Sequence, residues 1–469
     1  MRKVKIVCTI GPASSSAAVI DKMIRAGMNV ARLNFSHGSY DTHRQALESI
    51  RKISRNHDAP VAVLQDLKGL KIRVGSLKDG AVLLRKNSTV FLTSRNVEGS
   101  STLVPVLYRH LLKDVNPGDT ILFDDGLIAL KVKDKDKERL AAKVSEGGVL
   151  REKKGVNLPG TRISGEVFTR RDREDLAFGL KAGIDYVAMS FVRSGEDILK
   201  VRRWIVKNGY DLPVIAKIEN SQALENIDDI INRADGLMVA RGDLGVELPP
   251  ENVPLIQKDL IERCNAAMKP VITATQMLES MTEHTTPTRA EAADVANAVL
   301  DGTDALMLSA ETSVGRHPVE AVKMMDRIIS HTEMHGPRSA YMPERSSPEF
   351  AQALAEAACS SARDIRAKTI VAFSRSGFTA LLVSKFRPGV PITGFTVNEE
   401  IRRRMNLYWG VRPYVMEFPD TTDKMISASE QALVQRRIAG KGDSIVIIAS
   451  SPFTLGGNTN IMKLHKVGY

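Results

Sequence analysis

Eight short β-rich apolar runs recur between residues 4 and 309, and that rhythm restricts the fold more than any other feature. They are VKIVCTI (4–10), MNVARL (28–33), VAVLQDL (61–67), DYVAMSF (185–191), VIAKIE (214–219), GLMVA (236–240), VITAT (271–275) and DALMLS (304–309). Helical periodicity fills 16–26, 41–56, 172–182, 196–208, 222–233, 252–267 and 288–301 between them. A strand that reaches its neighbour through a helix pairs with it in parallel. Eight such units predict a closed (β/α)8 TIM barrel. Several of the runs are apolar throughout, as expected when both sheet faces are covered.

More than a hundred residues separate the third run from the fourth. Much of this stretch alternates apolar and polar residues, with turn signals KDG (78–80), NPGD (116–119), DDG (124–126) and EGG (146–148). The expected organisation is a first barrel part at 1–69, an inserted all-β lid domain built as a β-barrel at 70–165, and a second barrel part at 166–337. The insert holds 18 Lys and Arg against 11 Asp and Glu, so it carries most of the chain's net charge of +11. Such a segment attracts anions, and at the C-terminal face of a barrel it can close over a site. Beyond the polar linker HGPRSAYMPERSSPE (335–349) the strand–helix alternation resumes. A C-terminal α/β domain with a mostly parallel sheet is predicted over 345–469.

Other classes are excluded by composition. No run of about 18 apolar residues occurs, so no membrane span is expected. The opening MRKVKIVCTIGPAS alternates like a strand, and its apolar run is too short for a signal-peptide core. Cys8, Cys264 and Cys359 form no CxxC pair and are expected to be reduced thiols of a cytoplasmic protein. The nine His do not cluster as a zinc site would require. Aromatic residues are only 5% and do not interleave with the basic ones, so nucleic acid is not the expected partner.

Catalytic groups of such barrels stand at the C-terminal strand ends. The second run ends in Arg32 and Asn34, followed by Ser36 and His37. The third gives Asp66 and Lys68, with Lys71 and Arg73 behind. The fifth gives Lys217 and Glu219, the sixth Arg241, Gly242 and Asp243, the seventh Thr275 and the eighth Ser309. Glu219 and Asp243 follow adjacent strands, so their carboxylates can converge on Mg²⁺, or Mn²⁺ in its place. Lys217 lies two residues before Glu219 and therefore points to the same face. The stretch after Gly242 could form a helical turn whose N–H groups hold a carboxylate or phosphate. Arg32, Arg73 and Lys154 add cations, and Lys154 belongs to the tail of the basic lid. Metal, lysine, arginines and lid together describe phosphoryl transfer, which depends on positioning and charge neutralisation. No P-loop and no GxGxxG opening a helix is present.

These residues resemble pyruvate kinase. The resemblance is carried by KIVCTIGPAS (5–14), ARLNFSHG (31–38), DLKGLKIR (66–73), KKGVNLPG (153–160), IAKIENSQALENI (215–227), MVARGDLGVE (238–247), ATQMLESM (274–281), PTRAEAADVANAVLDGTDALMLSAET (287–312) and GRHPVEAV (315–322). It implies transfer of a phosphoryl group from phosphoenolpyruvate to ADP, giving pyruvate and ATP. It further implies that Arg32 contacts the transferred group and Lys217 stabilises it. Glu219 and Asp243 would bind Mg²⁺, and Gly242, Asp243 and Thr275 would hold the substrate carboxylate. Asn34, Ser36, His37, Arg73 and Lys154 would line the nucleotide side, and Thr275 and Ser309 would lie near the water that protonates the enolate. A homotetramer is implied by the resemblance alone.

One departure stands out. K⁺-dependent members carry Asp-Thr-Lys-Gly-Pro-Glu-Ile-Arg where this chain has DLKGLKIR, so Leu67 replaces Thr and Lys71 replaces Glu. The chain resembles the K⁺-independent members: Lys71 would supply a tethered cation to the pocket of Asn34, Ser36, Asp66 and Leu67. In the terminal domain, SRSGFTA (374–380) between a strand and a helix resembles a regulatory phosphate-binding turn. Ser374, Arg375, Ser376, Gly377 and Thr379 are its candidate effector ligands, and the segment TLGGNTN (454–460) could close over a phosphorylated effector. Two other readings are open: a Mg²⁺-dependent barrel lyase acting on pyruvate-like enolates, which needs no basic lid, and a basic nucleic-acid-binding protein, which shows salt-sensitive binding without turnover.

Overall fold

Eight parallel strands close into a barrel in this computed structural model, which describes residues 2–336, 350–419, 421–450 and 459–469. In chain order they are Lys5–Ile10, Val30–Asn34, Ala62–Asp66, Tyr186–Met189, Val214–Ile218, Gly236–Ala240, Val271–Ala274 and Ala305–Leu308, called here the first to eighth barrel strands. Each pairs with its neighbours in that order, and the eighth returns to the first through Lys5–Ala305 to Cys8–Leu308. Nearly every strand residue is buried, since helices cover the outside and side chains fill the inside. The helices start where their caps stand. Ser39 and Thr42 form a capping box for Tyr40–Asn56, as Thr169 and Asp172 do for Arg170–Ala182. Gly183, at φ 79°, ends the second of these in the left-handed conformation that glycine adopts without strain.

Between the third and fourth strands the chain forms a β-rich lobe. Its six-stranded sheet runs in the order Val156–Asn157, Thr120–Phe123, Ile128–Lys135, Leu140–Glu146, Thr89–Thr93, Leu103–Pro105. Ala81–Leu84 and Gly148–Arg151 pair separately. The lobe is thus two sheets, where the sequence suggested one barrel. Pro105 stands on the edge strand, where no N–H is needed for the ladder: the Val106 N–H donates to the Thr93 carbonyl at 2.8 Å. Isolated bridges Arg73–Gly155, Val74–Val106 and Leu77–Gly99 join the remainder.

The C-terminal domain has a five-stranded sheet in the order Val411–Val415, Ile392–Thr396, Thr369–Phe373, Ser444–Ala449, Ile461–Lys466. Its first four strands are parallel and the last is antiparallel. The linker at 337–349 lies outside the described residues.

This domain packs on the N-terminal ends of the barrel strands. Three consecutive arginines of the helix Glu399–Met405 make the contact: Arg402 bonds Asp58, Arg403 Nε reaches Asp185 Oδ1 at 2.8 Å, and Arg404 reaches the Asp211 carbonyl at 2.6 Å. Lys385, at the end of the helix Phe378–Lys385, is fully buried against Asp304, which precedes the eighth strand; Nζ–Oδ2 is 2.5 Å. Lys5 opens the first strand and donates to the Val411 carbonyl at 2.7 Å. Burial, with Arg2 and Arg412 close by and only Glu333 opposing, lowers Lys5 to about 7.

A lysine that titrates lower folded than unfolded binds fewer protons in the folded state, so stability rises with pH between the two values. The cost of burying the charge is fully present below about pH 7 and is relieved as pH rises towards ~10.4, the unfolded value. Lys5→Met should therefore raise the urea midpoint at pH 6.5, by more than it does at pH 9 (assay settings). An equal change at both would contradict the assignment.

Candidate active site

The C-terminal strand ends gather a dense ionic cluster. Asp66, from the third strand, is 1% exposed and accepts Arg32 Nε at 2.7 Å through Oδ2. Arg32 comes from the neighbouring second strand, and its Nη1 reaches Thr9 Oγ1 of the first at 2.9 Å. Lys217 Nζ, from the fifth, lies 3.2 Å from Asp66 Oδ1, 2.8 Å from Glu219 Oε1 and 2.7 Å from Ser190 Oγ. Burial disfavours all these charges. For Lys217 the carboxylates of Asp66 and Glu219 reverse that effect and hold its ammonium above the ordinary range. For Asp66 the same burial is outweighed by Lys217 and Arg32, which keep the carboxyl below its usual value.

Glu219 behaves differently. Its burial and the negative charge of Asp243 raise its carboxyl although Lys217 opposes them. Asp243 sits on the short helix Arg241–Glu247 that follows the sixth strand. Both acids line a narrow cavity of about 60 Å³ between barrel and lobe, with Lys71, Asp125 and Asn157 on the lobe side. Two carboxylates lining one cavity suit a hard divalent cation, which takes its other oxygens from water and substrate. Among the described residues no group of three or more His, Cys, Asp or Glu could hold a metal, so the donor set fits an ion shared with substrate better than a closed protein cage. Glu247 lines the same cavity. Burial raises it to about 7, with Asp243 adding to the rise and an Asn157 hydrogen bond opposing it.

Thr275 is held in an unusual backbone conformation, φ 69°, which a β-branched residue rarely adopts. Arg241 holds it there: its guanidinium donates to the Thr275 carbonyl at 2.6 Å and to Asp294 Oδ1 at 2.7 Å. The Gly242 N–H, a candidate for a substrate carboxylate, donates to Thr275 Oγ1 at 2.8 Å. Carboxylate binding there would exchange that bond. Glu311 ties the seventh and eighth strand ends together by accepting the N–H groups of Leu278 and Ser309. Ser309 Oγ is buried without a hydrogen-bond partner, so it can take a water or substrate atom.

At the ends of the first and second strands a cavity of about 390 Å³ is lined by Gly11, Pro12, Asn34, His37, Gly38 and Thr42, among others. Burial lowers His37, and Arg73, Lys71, Arg32 and Lys68 add to the shift through their charge. Asn34 Oδ1 accepts the Ser36 N–H at 3.1 Å. The barrel mouth is thus electropositive where an anion would enter. Lys154 does not project across it: its Nζ bonds Asp124 Oδ1 at 2.8 Å within the lobe. Arg73 donates to the Lys153 carbonyl at 2.8 Å. Lys71 is exposed, with Cε beside Gly155, and the contacts of Asp66 are instead with Arg32, Lys217 and Ser190. The Leu67 side chain packs in the barrel core.

Thr9 and Ser190 belong to the site and were not singled out from sequence. Both follow the rule that located the others, since they stand at the first and fourth strand ends.

In the C-terminal domain Ser374 to Gly377 form the turn between the strand Thr369–Phe373 and the helix Phe378–Lys385, and Thr379 lies in the first turn of that helix. Gly377 caps that helix at φ 88°. Ser374 Oγ accepts the Thr379 N–H at 3.2 Å, and Ser376 Oγ the Phe378 N–H at 3.4 Å. Arg375 stacks over Phe418. Thr379 Oγ1 meets Thr459 Oγ1 at 2.8 Å; residues 454–458 of the proposed closing segment lie outside the described residues.

Comparison with known proteins gives consistent matches. A family model described as pyruvate kinase, barrel domain, matches residues 1–322, and one described as pyruvate kinase, alpha/beta domain, matches 352–465. A pyruvate kinase of Sporosarcina psychrophila is 46% identical over 474 residues, covering 100% of this chain and 81% of that protein. One of Staphylococcus aureus (strain MRSA252) is 45% identical over 473 residues, with the same coverage. The crystal structure of a pyruvate kinase from Cryptosporidium parvum superposes with TM-score 0.94 at 36% identity, covering 99% of this chain and 96% of that one.

Proposed function

The chain belongs to the pyruvate kinase family, and from the barrel mouth we propose that it transfers the phosphoryl group of phosphoenolpyruvate to ADP, releasing pyruvate and ATP. It is a phosphotransferase by family. The observation that carries the reading is the Arg32–Asp66–Lys217–Glu219 cluster, which sets two fixed cations beside a carboxylate pair. Arg32 and Lys217 bind the phosphoryl oxygens and offset the charge that develops during transfer. Glu219 and Asp243 would hold Mg²⁺, or Mn²⁺, which would supply further positive charge at those oxygens. Thr275 and Gly242 orient the substrate carboxylate. Water between Thr275 and the unpartnered Ser309 hydroxyl protonates the enolate carbon. Asn34, Ser36, His37 and Arg73 serve the nucleotide, and Lys154 joins them only on leaving Asp124. A coupled assay for pyruvate tests the reaction: production must require both phosphoenolpyruvate and ADP. Turnover without ADP would favour a lyase.

The monovalent cation is a separate matter. Arg32 and Lys217 already balance Asp66, and the charge of Lys71 reaches His37, next to Ser36. A free K⁺ about 4 Å from a fixed cation would be repelled by about 4 kcal/mol at an effective dielectric of 20. The enzyme should be nearly as active in tetramethylammonium as in K⁺ at equal ionic strength. Lys71→Glu with Leu67→Thr should lower activity without K⁺ and regain part of it when K⁺ is added. Strong K⁺ activation of the unaltered enzyme would refute this.

The SRSG turn is the proposed site of a phosphorylated effector, and the enzyme is proposed to act as a cytoplasmic homotetramer. A screen of phosphorylated metabolites should find one that shifts the substrate half-saturation concentration. Ser376→Asp sets like charge against that phosphate, so the shift should vanish while basal turnover survives. An undiminished shift would place the effector elsewhere.

A further inference from the structure

We propose that Ser190 is a positioning residue for the transfer lysine: it fixes the direction of the Lys217 ammonium, and it acts on the reaction only through that group. The inference rests on the role given to Lys217 above. An ammonium has three protons to donate. Here they are directed to three acceptors, Ser190 Oγ at 2.7 Å, Glu219 Oε1 at 2.8 Å and Asp66 Oδ1 at 3.2 Å. To bind a phosphoryl oxygen, Lys217 must release one of them. The three are not equally replaceable.

Glu219 is the acceptor with a competing claim, since with Asp243 it forms the pair suited to a divalent ion. Asp66 is held in place by Arg32 and keeps its charge, but its bond to Lys217 is the longest of the three. Ser190 is both close and fixed. It is 3% exposed, and its own hydroxyl lies 2.8 Å from the Leu67 carbonyl, to which it donates. A hydroxyl has one proton. Once that proton points at Leu67, only oxygen lone pairs face Lys217. The Leu67 carbonyl at 2.8 Å is a nearer acceptor for that proton than Asp66 Oδ1 at 3.3 Å, so the hydroxyl leaves that carboxylate oxygen to the ammonium.

The backbone enforces the same arrangement. Ser190 follows the fourth strand, between the third strand that carries Asp66 and the fifth that carries Lys217. The next residue, Phe191, has φ 55° and donates its N–H to Glu219 Oε2 at 2.6 Å. One dipeptide therefore steers the ammonium with its first residue and Glu219 with its second. Gly69 packs against it so closely that a Cβ there would lie 3.1 Å from the Ser190 carbonyl and 3.2 Å from its Cβ.

Ser190→Ala removes the acceptor and leaves both carboxylates. Loss of one hydrogen bond to a charged group predicts a kcat lower by about 10- to 100-fold. The KM for phosphoenolpyruvate should change by less than about 2-fold, because the interaction is one needed mainly in the transition state. A double-mutant cycle separates positioning from general loosening of the site. On a Lys217→Met background, Ser190→Ala should cost almost nothing, since the group it positions is gone. Mn²⁺ binding to the free enzyme, followed by electron paramagnetic resonance, should stay unchanged in Ser190→Ala. An equal loss on both backgrounds would overturn the proposal, as would an unchanged kcat in Ser190→Ala alone. If Lys217→Met itself kept most of its kcat, the reading of Lys217 would fail first, and that result is distinguishable from the other two.

Discussion

Lys217→Met is expected to lower kcat by at least ~10³, equivalent to ~4 kcal/mol of transition-state stabilisation, with a smaller change in substrate affinity. The ammonium is buried, held by Asp66, Glu219 and Ser190, and kept protonated by the two carboxylates. Its charge is therefore present across the working pH range, and it stands in a site with little water to screen it. Methionine fills a similar volume without the charge. Arg32 remains to pair with Asp66, so the barrel should keep its fold. Circular dichroism and Mn²⁺ binding check that point. A variant retaining more than a tenth of the original kcat would have lost less than ~1.4 kcal/mol, too little for a group assigned to the transferred phosphoryl.

Asp304→Ala should be the most destabilising single change at the interface between barrel and C-terminal domain. Asp304 is fully buried and accepts Lys385 Nζ at 2.5 Å, Arg387 Nη2 at 2.9 Å and the Val271 N–H at 2.8 Å. Removing it strands two cations in the interior, which costs about 3–5 kcal/mol for a broken buried pair. The urea midpoint should fall accordingly. Burial already lowers Lys385 to about 8, with Asp304 resisting. Without Asp304 it falls further, so the penalty should shrink as pH rises and the amine goes neutral. Adding Lys385→Met should recover much of the loss. A midpoint unchanged by Asp304→Ala would show that the pair contributes nothing to docking.

The sequence was most legible where one physical rule repeats. Alternating strands and helices gave the barrel, and polar residues at strand ends gave Arg32, Asp66, Lys217, Glu219, Asp243 and Thr275. The structure brings these to one end of the barrel because parallel strands deliver all their C-terminal ends to one face, and Glu219 and Asp243 line the cavity there. Ser190 and Thr9 were less visible. A hydroxyl after a strand is unremarkable until the neighbouring strands supply its partners. The lobe was harder for a related reason. Alternation shows that strands exist but not which of them pair, so two sheets and one barrel read alike. Long side chains were hardest: neither Lys154, tied to Asp124, nor Lys71, beside Gly155, could be aimed from its place in the chain.

The bridge between Arg73 and Gly155 has a bearing on how the chain assembles. It brings the two ends of the lobe together, reinforced by Val74 N–H to the Lys154 carbonyl at 2.9 Å and Lys153 N–H to the Val74 carbonyl at 3.0 Å. A chain that leaves and re-enters through one doorway is, for the barrel, a short connection. Ring-closure entropy grows only with the logarithm of loop length, about 0.6 kcal/mol per doubling. Once the lobe has folded, most of its residues drop out of that loop. The third and fourth strands can then meet almost as if they were neighbours in sequence. The lobe has its own apolar centre and emerges from the ribosome before the fourth strand does, so synthesis presents the pieces in the order that assembly favours.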